Sequence, residues 1–333
     1  MTAATTMPPL PATPAGAALV SVVLITKDRA ALLPRCLASL FALSWRPFEL
    51  ICVDDGSRDD TAATLTRLAA LAPAGIPVTV CRHAHNRGIG AARNTGITAA
   101  RGAFVAFTDD DCEVRPDWLT ALLRPFAADP ALAIVGGGID EPPAPTPAQR
   151  ASEGINFLGA TARRVRSIVG CNMMLEAGFA RAFPFDEGAR NYADELDRCL
   201  TAAAIGRGVW FTPAARVVHH HRHDVRSFLR QQRQRGAGAV WVRHKHRLGL
   251  WPRKYWVIAA LLASPAALLL LPWPPALAVV ASLLVAFFAQ TVLLDRARGK
   301  CWRDLLATLP LVALGYLWEF AGAVMAMGRG RRQ

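Results

Sequence analysis

Three aspartates in a row follow an apolar run in the segment FTDDDCEV, residues 107–114. The apolar run is typical of a buried strand, so the aspartates would lie at its carboxyl end and repel one another. Side chains alternate along an extended chain, so Asp109 and Asp111 can reach one shared cation while Asp110 faces elsewhere. Mg²⁺ and Mn²⁺ prefer such oxygen ligands and keep positions open for phosphates. The triplet therefore predicts a divalent-metal site, and the alternative is a solvated acidic turn before a helix.

A second acidic strand end lies in VDDGSRDDT, residues 53–61, after the apolar run FELIC. The carboxylate of Asp54 or Asp55 at this position can accept an N–H of a base or the hydroxyls of a ribose. A later aspartate of the same segment can cap the next helix. The segment therefore predicts a nucleotide contact, and the alternative is a helix cap that binds no ligand.

The elements that would position these residues follow an α/β pattern. Near-continuous apolar strands at 19–26, 48–55, 76–82 and 103–109 alternate with segments of helical spacing. This pattern predicts a mostly parallel sheet that helices cover on both faces. Ligands of such sheets bind beyond the carboxyl ends of the strands. The polar groups that would meet at this edge are Thr26, Asp54 with Asp55, and Asp109 to Asp111.

A glycine-rich segment, RGIGAARNTG at residues 87–96, is a near-match to the dinucleotide-binding fingerprint. Gly88 and Gly90 fit the pattern, but Arg93 stands where the third glycine should be. The segment also follows the third strand instead of the first, so a Rossmann dehydrogenase is the weaker interpretation. A helix N-terminus that carries Arg93 still suits a phosphate or a sugar.

Two further polar segments occur in the second half of the chain. ADELDRC, residues 193–199, is either a site for a general base or an exposed acidic helix face. VVHHHRH, residues 217–223, suggests a metal, but adjacent side chains rarely converge on one ion, so a joint zinc site is not favoured. The seven cysteines show no C-x-x-C spacing and are interpreted as small buried hydrophobic residues in a reducing compartment.

Composition and charge indicate a membrane-associated chain. The 333 residues carry a net charge of +13 and a mean hydropathy of +0.24. Residues 222–254 hold ten Lys or Arg and one acid, which favours an anionic membrane surface, and no nucleic-acid motif accompanies them. Apolar segments follow at 255–271, 276–294 and 305–327, the first of marginal length for a span. Basic loops prefer the cytoplasm, so the α/β part is predicted to face the cytoplasm.

These observations predict a layout in five parts. Residues 1–18 lack Lys and Arg and are rich in proline, so they are predicted to be a disordered N-terminus and not a signal peptide. The α/β domain is expected over 19–223 and a basic interfacial linker over 224–254. Transmembrane helices would occupy 255–327, followed by a basic tail at 328–333.

Five segments in this order resemble family 2 glycosyltransferases of the GT-A fold: SVVLITKDR, VDDGSRDDT, NRGIGAARNTGI, GAFVAFTDDDCEVRPDWL and ADELDRC. The resemblance covers roughly residues 20–221 and includes the order and spacing of the motifs. It implies a Rossmann-like GT-A domain that transfers a sugar, with inversion, from a nucleoside diphosphate donor of the UDP or GDP type. It also implies a divalent cation, Mg²⁺ or Mn²⁺, at the D-x-D motif.

The resemblance further implies roles for individual residues. The donor nucleotide would contact Thr26, Asp28, Asp54, Asp55, Arg93 and Asp110. The metal would be held by Asp109, Asp111 and His219. The catalytic base would lie in the pair Asp194–Glu195, whose order is the reverse of the family's usual pair, and Asp197 is an alternative base.

Together these features predict a membrane-anchored, metal-dependent glycosyltransferase of the hexosyl type, with its active site facing the cytoplasm. The acceptor would be a lipid-linked or cell-envelope glycan, because the basic linker and the spans would hold the site near the bilayer of the cytoplasmic (inner) membrane. Gln232 and Arg235 have the Q-x-x-R spacing of processive synthases without the following tryptophan, and a basic interfacial helix is the alternative.

Two other functions fit part of the pattern. A nucleotidyltransferase shares the carboxylates at the sheet edge and the nucleotide, but TKDRAALL after the first strand has no glycine. A membrane protein that binds nucleotide sugars without turnover would also keep these segments. Transfer or hydrolysis of the donor separates the three functions.

Overall fold

The computed structural model describes residues 18–143, 145–156, 159–188, 193–221, 224–249, 252–265, 272–297 and 302–330. The chain divides into two compact units. The first contains residues up to 142 and 158–220, and the second contains 143–157 and residues from 221 onward.

The first unit is built on one nine-stranded sheet in its described part. Its strands are β1 (Val20–Thr26), β2 (Phe48–Asp54), β3 (Val78–Arg82), β4 (Phe104–Asp109), β5 (Cys112–Val114), β6 (Leu132–Asp140), β7 (Arg163–Arg164), β8 (Met173–Glu176) and β9 (Gly208–His219). Its helices are α1 (Leu33–Phe41), α2 (Thr61–Ala69), α3 (Ile89–Ala99), α4 (Trp118–Ala128), α6 (Ala177–Ala182) and α7 (Asp194–Ala204).

The sheet runs in the order β3-β2-β1-β4-β8-β6-β9-β5, with β7 on β9. The strands β3, β2, β1 and β4 are all parallel, as their apolar sequences predict. Beyond β4 the sheet is mixed, because β8 is antiparallel to both of its neighbours. The expected α/β fold with a mostly parallel, GT-A-like sheet is therefore confirmed.

Strand register places the predicted polar residues at one edge of the sheet. Thr26 is paired with Asp54 across β1 and β2, and Ile25 is paired with Asp109 across β1 and β4. Because parallel strands end at the same edge, these three carboxyl ends lie side by side. The edge predicted from the sequence is thus present in the fold.

Alternate side chains of each strand fill two cores, one on each face of the sheet. Val22 and Leu24 of β1 pack with helices α1 and α4, whereas Val23 packs on the opposite face with residues of α3 and α6. The period of two follows from the pleat of the strand. Both faces are covered, so the polar groups at the strand ends are the part of this parallel sheet left for chemistry.

The second unit is helical. It contains α5 (Pro147–Asn156), α8 (Val225–Lys245), α9 (Arg253–Ala263), α10 (Trp273–Ala297) and α11 (Trp302–Gly330). Its core includes Phe228, Tyr255, Val312 and Tyr316, all nearly fully buried. Glu319, the one acid in the third apolar segment, accepts 2.7 Å hydrogen bonds from Lys254 Nζ at both carboxylate oxygens and a 3.0 Å bond from Tyr255 Oη. This pairing makes a carboxylate tolerable inside an apolar helix.

Helices α8 and α11 cross in backbone contact. A Cβ on Gly236 would lie 1.7 Å from the Glu319 carbonyl oxygen, and one on Gly322 would lie 1.9 Å from the Arg233 carbonyl oxygen. Neither position has room for a side chain, so the glycines set the distance between the helices. Gln232, the first residue of the Q-x-x-R spacing, is fully buried at this crossing, where its Cγ approaches Gly315.

The structure adds detail to the predicted layout in three places. Helix α5 belongs to the second unit, although the sequence placed all of 19–223 in one domain. The segment 224–254, predicted to be a basic interfacial linker, consists mainly of the 21-residue helix α8. The described part of the first apolar segment contains the short helix α9, and residues 266–271 lie outside the described residues.

Two helices of the described chain are long and apolar enough to cross a membrane. They cover Trp273–Leu294 in α10, with a mean hydropathy of 2.4, and Leu305–Met327 in α11, with a mean hydropathy of 1.5. Both helices meet this description by their length and composition. It matches the second and third of the three segments expected from the sequence.

Candidate active site

The three aspartates of the triplet, at the end of β4 and in the turn after it, have different partners. Thr26 Oγ1 donates a 2.6 Å hydrogen bond to Asp110 Oδ2, and both residues are buried. This bond ties the end of β4 to the end of β1. Asp109 and Asp111 contact other groups, described below. A direct contact of Asp110 with the donor remains a prediction.

Asp54 and Asp55 have different surroundings at the end of β2. Asp54 is fully buried: its Oδ1 accepts a 2.9 Å bond from Ser57 N, while its Oδ2 lies 3.2 Å from Arg82 Nε and receives no hydrogen bond. A buried carboxylate oxygen without a donor is suited to accept an N–H from a ligand. Asp54 thus fits its predicted role in binding the nucleotide base.

Asp55 holds the loop before α3 in place. Its carboxylate accepts 2.8 Å and 2.9 Å bonds from the backbone N–H groups of Arg87 and Gly88, and His83 Nδ1 lies 2.8 Å from Oδ1. Gly56 follows with a φ of +69°, and a Cβ there would lie 2.4 Å from the His85 carbonyl carbon. The chain can pass here only as glycine. The sequence predicted a donor contact for Asp55 and missed this role as a clamp.

Asp28 links the loop after β1 to the loop after β2. It adopts a φ of +52°, its N–H donates a 2.9 Å bond to Ser57 Oγ, and its Oδ1 accepts a 2.8 Å bond from Arg58 N. The Arg58 N–H and the Lys27 ammonium lower the pKa of the Asp28 carboxyl. Thr26 and Asp54 at adjacent strand ends and Asp28 in the loop after β1 therefore lie at one edge, as the predicted nucleotide pocket requires.

Arg93 is a buried cation between two of the predicted functional acids. Its Nη1 donates to Asp194 Oδ2, and its Nη2 lies 3.9 Å from Asp109 Oδ1. The guanidinium stacks over the Phe107 ring at 5.7 Å and the Phe185 ring at 5.3 Å. This one side chain brings the end of β4 and the start of α7 together, although Arg93 and Asp194 are 101 residues apart.

The acids of ADELDRC have distinct partners. Asp194, the first residue of α7, is paired with Arg93, and the fully buried Asp197 is paired with Arg198 at 2.8 Å. Burial and the neighbouring charge of Asp194 raise the pKa of Glu195 to about 8. A pKa of about 8 suits Glu195 to act as a general base near neutral pH.

His219 reaches the metal motif through strand pairing. β5 and β9 are antiparallel, and His219 is directly opposite Cys112. His219 Nε2 lies 3.0 Å from Asp111 Oδ1, and Arg29 Nη1 lies 3.8 Å from Asp111 Oδ2. Burial opposes protonation of His219, but the Asp111 carboxylate and the Cys171 thiol outweigh it and raise the pKa of His219 well above its usual range.

His219 and His220, the histidines of VVHHHRH in the first unit, have different partners. His219 Nε2 lies 3.0 Å from Asp111 Oδ1, whereas His220 Nε2 lies 2.5 Å from Glu113 Oε1. His221 belongs to the second unit, and His223 lies outside the described residues. The metal-binding role of His219 remains a prediction.

The residues fit a hard divalent cation by the chemistry of their side chains. Burial, Cys171 and Asp111 raise the pKa of Asp109 to about 8, although Arg93 opposes this, so a nearby cation would stabilise its ionised form. Asp109 at the end of β4, Asp111 in the turn after it and His219 at the end of β9 supply two carboxylates and an imidazole. Such a set suits Mg²⁺ or Mn²⁺.

The sequence missed a thiol group beside this motif. Cys112, Cys171 and His219 offer ligand atoms that all lie within 4.8 Å of one another. Cys171 Sγ is 3.8 Å from His219 Nδ1, and the hydrogen bond from Cys112 helps to lower the pKa of Cys171 to about 5. No spacing rule could have found this group, because strand pairing and a loop before β8 assemble it.

Comparison with known proteins agrees with this geometry. Residues 21–185 match the Glycosyl transferase family 2 model. Pre-mycofactocin glycosyltransferase of Mycobacterium tuberculosis is 28% identical over 236 residues, which cover 68% of this chain and 48% of that protein. The chain thus spans about half the length of this curated relative.

Two solved structures are similar in fold. A mannosyltransferase from Pyrobaculum calidifontis, PcManGT in complex with GDP-Man and Mn²⁺, has a TM-score of 0.61 at 22% identity, covering 93% of this chain and 87% of that chain. GalNAc-T7 with UDP, GalNAc and Mn²⁺ has a TM-score of 0.56 at 18% identity, covering 78% of this chain and 52% of that one.

The sheet and the acidic strand ends define a GT-A-like α/β domain of the glycosyltransferase class. The match over residues 21–185 gives the family of this part of the chain, which is a glycosyltransferase family 2 domain.

Replacing Arg93 tests its role as the shared counter-ion. Arg93→Met should destabilise the fold by about 3–5 kcal/mol near neutral pH, because it leaves Asp194 buried without a partner. Adding Asp194→Asn should restore part of that loss, since it removes the uncompensated charge. Chemical unfolding of the single and double variants measures both effects.

The matched control is Arg87→Met, which removes the half-exposed pair of Arg87 with Glu187. Its cost should be about 0–1 kcal/mol. Equal costs for the two arginine variants, or no recovery on adding Asp194→Asn, would contradict the assignment.

Proposed function

We propose that this chain transfers a sugar, with inversion, from a nucleoside diphosphate donor to a hydroxyl group of a lipid-linked or cell-envelope glycan. The observation that carries the proposal is Arg93, which is paired with Asp194 and lies beside Asp109. Its contacts with an acid of the predicted metal motif and with the start of the predicted base segment support a single site for both. Such proximity of leaving-group and acceptor chemistry is what direct transfer requires.

The donor nucleotide binds at the ends of β1 and β2. The buried Oδ2 of Asp54 accepts an N–H of the base, and Thr26 and Asp28 line the same pocket. The fold neighbours hold GDP-Man or UDP, which supports a guanosine or uridine diphosphate donor. Specificity for the base then rests on Asp54, since a polar site rejects ligands that leave it unpaired.

Asp109, Asp111 and His219 would hold the divalent cation. When bound there, Mg²⁺ or Mn²⁺ acts as a Lewis acid that neutralises charge on the departing diphosphate. The chain itself contributes Arg93 and Arg29, whose guanidinium groups lie 3.9 Å from Asp109 and 3.8 Å from Asp111. These cations add positive potential on the side from which the diphosphate leaves.

Glu195 is the proposed base. It removes the proton from the acceptor hydroxyl, whose oxygen forms the bond to the anomeric carbon as the bond to the diphosphate breaks. A single displacement from the face opposite the leaving group inverts the anomeric configuration. Asp194 and Asp197 each have an arginine partner and act as positioning residues for α7. A pKa of about 8 suits Glu195 for proton transfer near neutral pH.

The second unit anchors the protein to the cytoplasmic membrane. Only 11% of the apolar window of α10 is buried within the chain, unlike a core helix of a soluble protein. Helix α8 adds basic side chains, among them the exposed Arg226, Arg230 and Arg233, suited to anionic headgroups. Positive charge beside the spans favours a cytoplasmic active site, where nucleotide sugars are the donors.

Donor binding and turnover should respond differently to two substitutions. Glu195→Gln should lower the transfer rate by about 10²–10⁴-fold while Mn²⁺-dependent donor binding persists, because only the base is lost. Asp111→Asn should weaken Mn²⁺-dependent donor binding itself. Product analysis with UDP- and GDP-sugars measures transfer, and calorimetric titration measures donor binding. The control is Asp129→Asn, which lies before the start of β6 and not at the carboxyl ends of the strands.

The products separate this function from its alternatives. Release of a nucleoside diphosphate with a glycosylated acceptor supports transfer. Release of pyrophosphate would instead indicate a nucleotidyltransferase, and tight donor binding by the unaltered chain without any turnover would indicate a binding protein.

The pH profile should report Glu195. A base acts when deprotonated, so kcat/KM should rise about tenfold per pH unit below pH 8 and level off above it. Glu195→Gln should remove this limb of the profile. A flat profile between pH 6 and 8 in the unaltered enzyme would contradict the assignment.

The stability of the fold should decrease over the pH range in which activity increases. The folded chain keeps the Glu195 proton to a higher pH than the unfolded chain, so stability falls as pH rises from the usual glutamate range through about 8. Glu195→Gln should therefore unfold at a higher temperature than the unaltered protein above pH 8, in thermal scans at matched pH.

Membrane attachment is testable by extraction. The protein should stay in the membrane fraction after washing with high salt or alkaline carbonate and leave it only with detergent, because α10 and α11 would be inserted. Release by salt alone would show that the basic face of α8 is the only attachment.

A further inference from the structure

Cys112, Cys171 and His219 converge beside the predicted metal motif without a role in the proposed transfer of sugar. Their ligand atoms all lie within 4.8 Å of one another, and the two cysteines are 1% and 5% exposed. Cys112 and His219 are opposite one another in the β5–β9 pair, so their side chains share a face. Cys171 Sγ lies 3.8 Å from His219 Nδ1.

The position of Cys171 is fixed by its neighbour. The fully buried Asn172 donates from Nδ2 to the carbonyl oxygens of Gly138, at 2.8 Å, and Ala215, at 3.0 Å. Its Oδ1 accepts a 2.8 Å bond from Trp118 Nε1. The loop that carries Cys171 is therefore held against β6, β9 and α4, and the thiol is presented by a rigid support.

The two nitrogens of His219 have different neighbours. Nδ1 faces the thiol of Cys171, and Nε2 lies 3.0 Å from Asp111 Oδ1. A histidine that binds a metal through one nitrogen usually donates its other N–H to a carboxylate, which fixes the tautomer. Asp111 stands in that orienting position relative to a cation on the Nδ1 side.

We propose that Cys112 Sγ, Cys171 Sγ and His219 Nδ1 form a second metal site that takes a thiophilic divalent cation such as Zn²⁺. Two thiolates and an imidazole are a typical zinc ligand set, and the fourth position stays open to water. Binding forms two metal–sulfur bonds and one metal–nitrogen bond. Two protons are released to solvent, one from the Cys112 thiol and one that Cys171 and His219 share, and the remaining imidazole proton stays on Nε2.

This site excludes the hard cation from His219. A neutral imidazole has one nitrogen with a free lone pair, so His219 cannot bind a soft cation at Nδ1 and Mn²⁺ at Nε2 together. Occupation of the thiol site therefore withdraws a ligand from the Asp109–Asp111 motif. Zn²⁺ inhibits transfer by this route, a consequence that rests on the proposed function, whereas the site itself does not.

Binding is tested first, without any enzyme assay. The full-length protein in detergent, kept reduced by a phosphine, is titrated with Co²⁺, whose thiolate charge-transfer absorption reports metal–sulfur bonds. The unaltered protein and Cys52→Ala should show this absorption, and Zn²⁺ should abolish it by displacing Co²⁺. Cys112→Ala and Cys171→Ala should lose it. Cys52 is the matched control because it is a buried cysteine of the same sheet.

Inhibition is tested second. Zn²⁺ should inhibit transfer by the unaltered protein and by Cys52→Ala at the same concentration. Inhibition of Cys171→Ala should need at least about tenfold more Zn²⁺, because loss of a metal ligand weakens the site at least as much as loss of a residue that orients a ligand. Circular dichroism verifies that each variant is folded, and Cys171→Ser replaces the alanine variant if that one is unfolded.

The outcomes are distinct. Absence of the charge-transfer absorption in the folded, unaltered protein, or its persistence in Cys171→Ala, would overturn the second site whatever the enzyme does. Charge-transfer absorption in a protein that shows no transfer would support the site and count only against the proposed function.

Discussion

The rest of the candidate active site depends on one buried guanidinium group, because its charge must be balanced by nearby acids. Arg93 is 3% exposed and lies against two aromatic rings, so its charge must be balanced by the acids that reach it. Asp194 supplies the direct pair, and Asp109 lies just beyond hydrogen-bonding distance. The same cation therefore makes acids from two distant segments tolerable in one place. Even the backbone conforms to it, because a Cβ on Gly170 would lie 2.5 Å from Arg93 Nη2.

Parallel strands supply the second constraint. Because β1, β2 and β4 end at the same level, their polar termini meet without long side chains having to reach across the sheet. Short bonds then hold the ends together, from Thr26 to Asp110 and from Asp55 to the backbone of the following loop. Asp55 and Asp110 thus hold the strand ends together, whereas Asp54, Asp109 and Asp111 are the acids proposed to bind the ligands.

Sequence reasoning succeeded where the information is local. Near-continuous apolar strands with acids at their ends predicted the parallel half of the sheet. They also predicted the edge where Thr26, Asp54 and Asp109 meet. The sequence could not predict the structural role of Asp55. The backbone N–H groups of Arg87 and Gly88 become its partners only when the loop before α3 folds back onto it. Sequence reasoning also interpreted Cys112 and Cys171 as small buried hydrophobic residues. The loop and the antiparallel β5–β9 pair that bring them to His219 cannot be recognised from the spacing of the residues. The same reasoning did not predict helix α5, in which Pro147 stands at the first helical position, where its missing N–H costs nothing.

The glycine crossing of α8 and α11 has a mechanical consequence. Main-chain atoms of the two helices touch at Gly236 and Gly322, so at these two points no side chain is available to deform between them. The pair should therefore move as one rigid body within its unit. A bilayer that thickens or thins reorients an inserted apolar helix to match its hydrocarbon depth. If α11 is inserted as proposed, such a change in its tilt would be passed on to the arginine-rich α8 in full, so the basic surface would follow the thickness of the lipid around it.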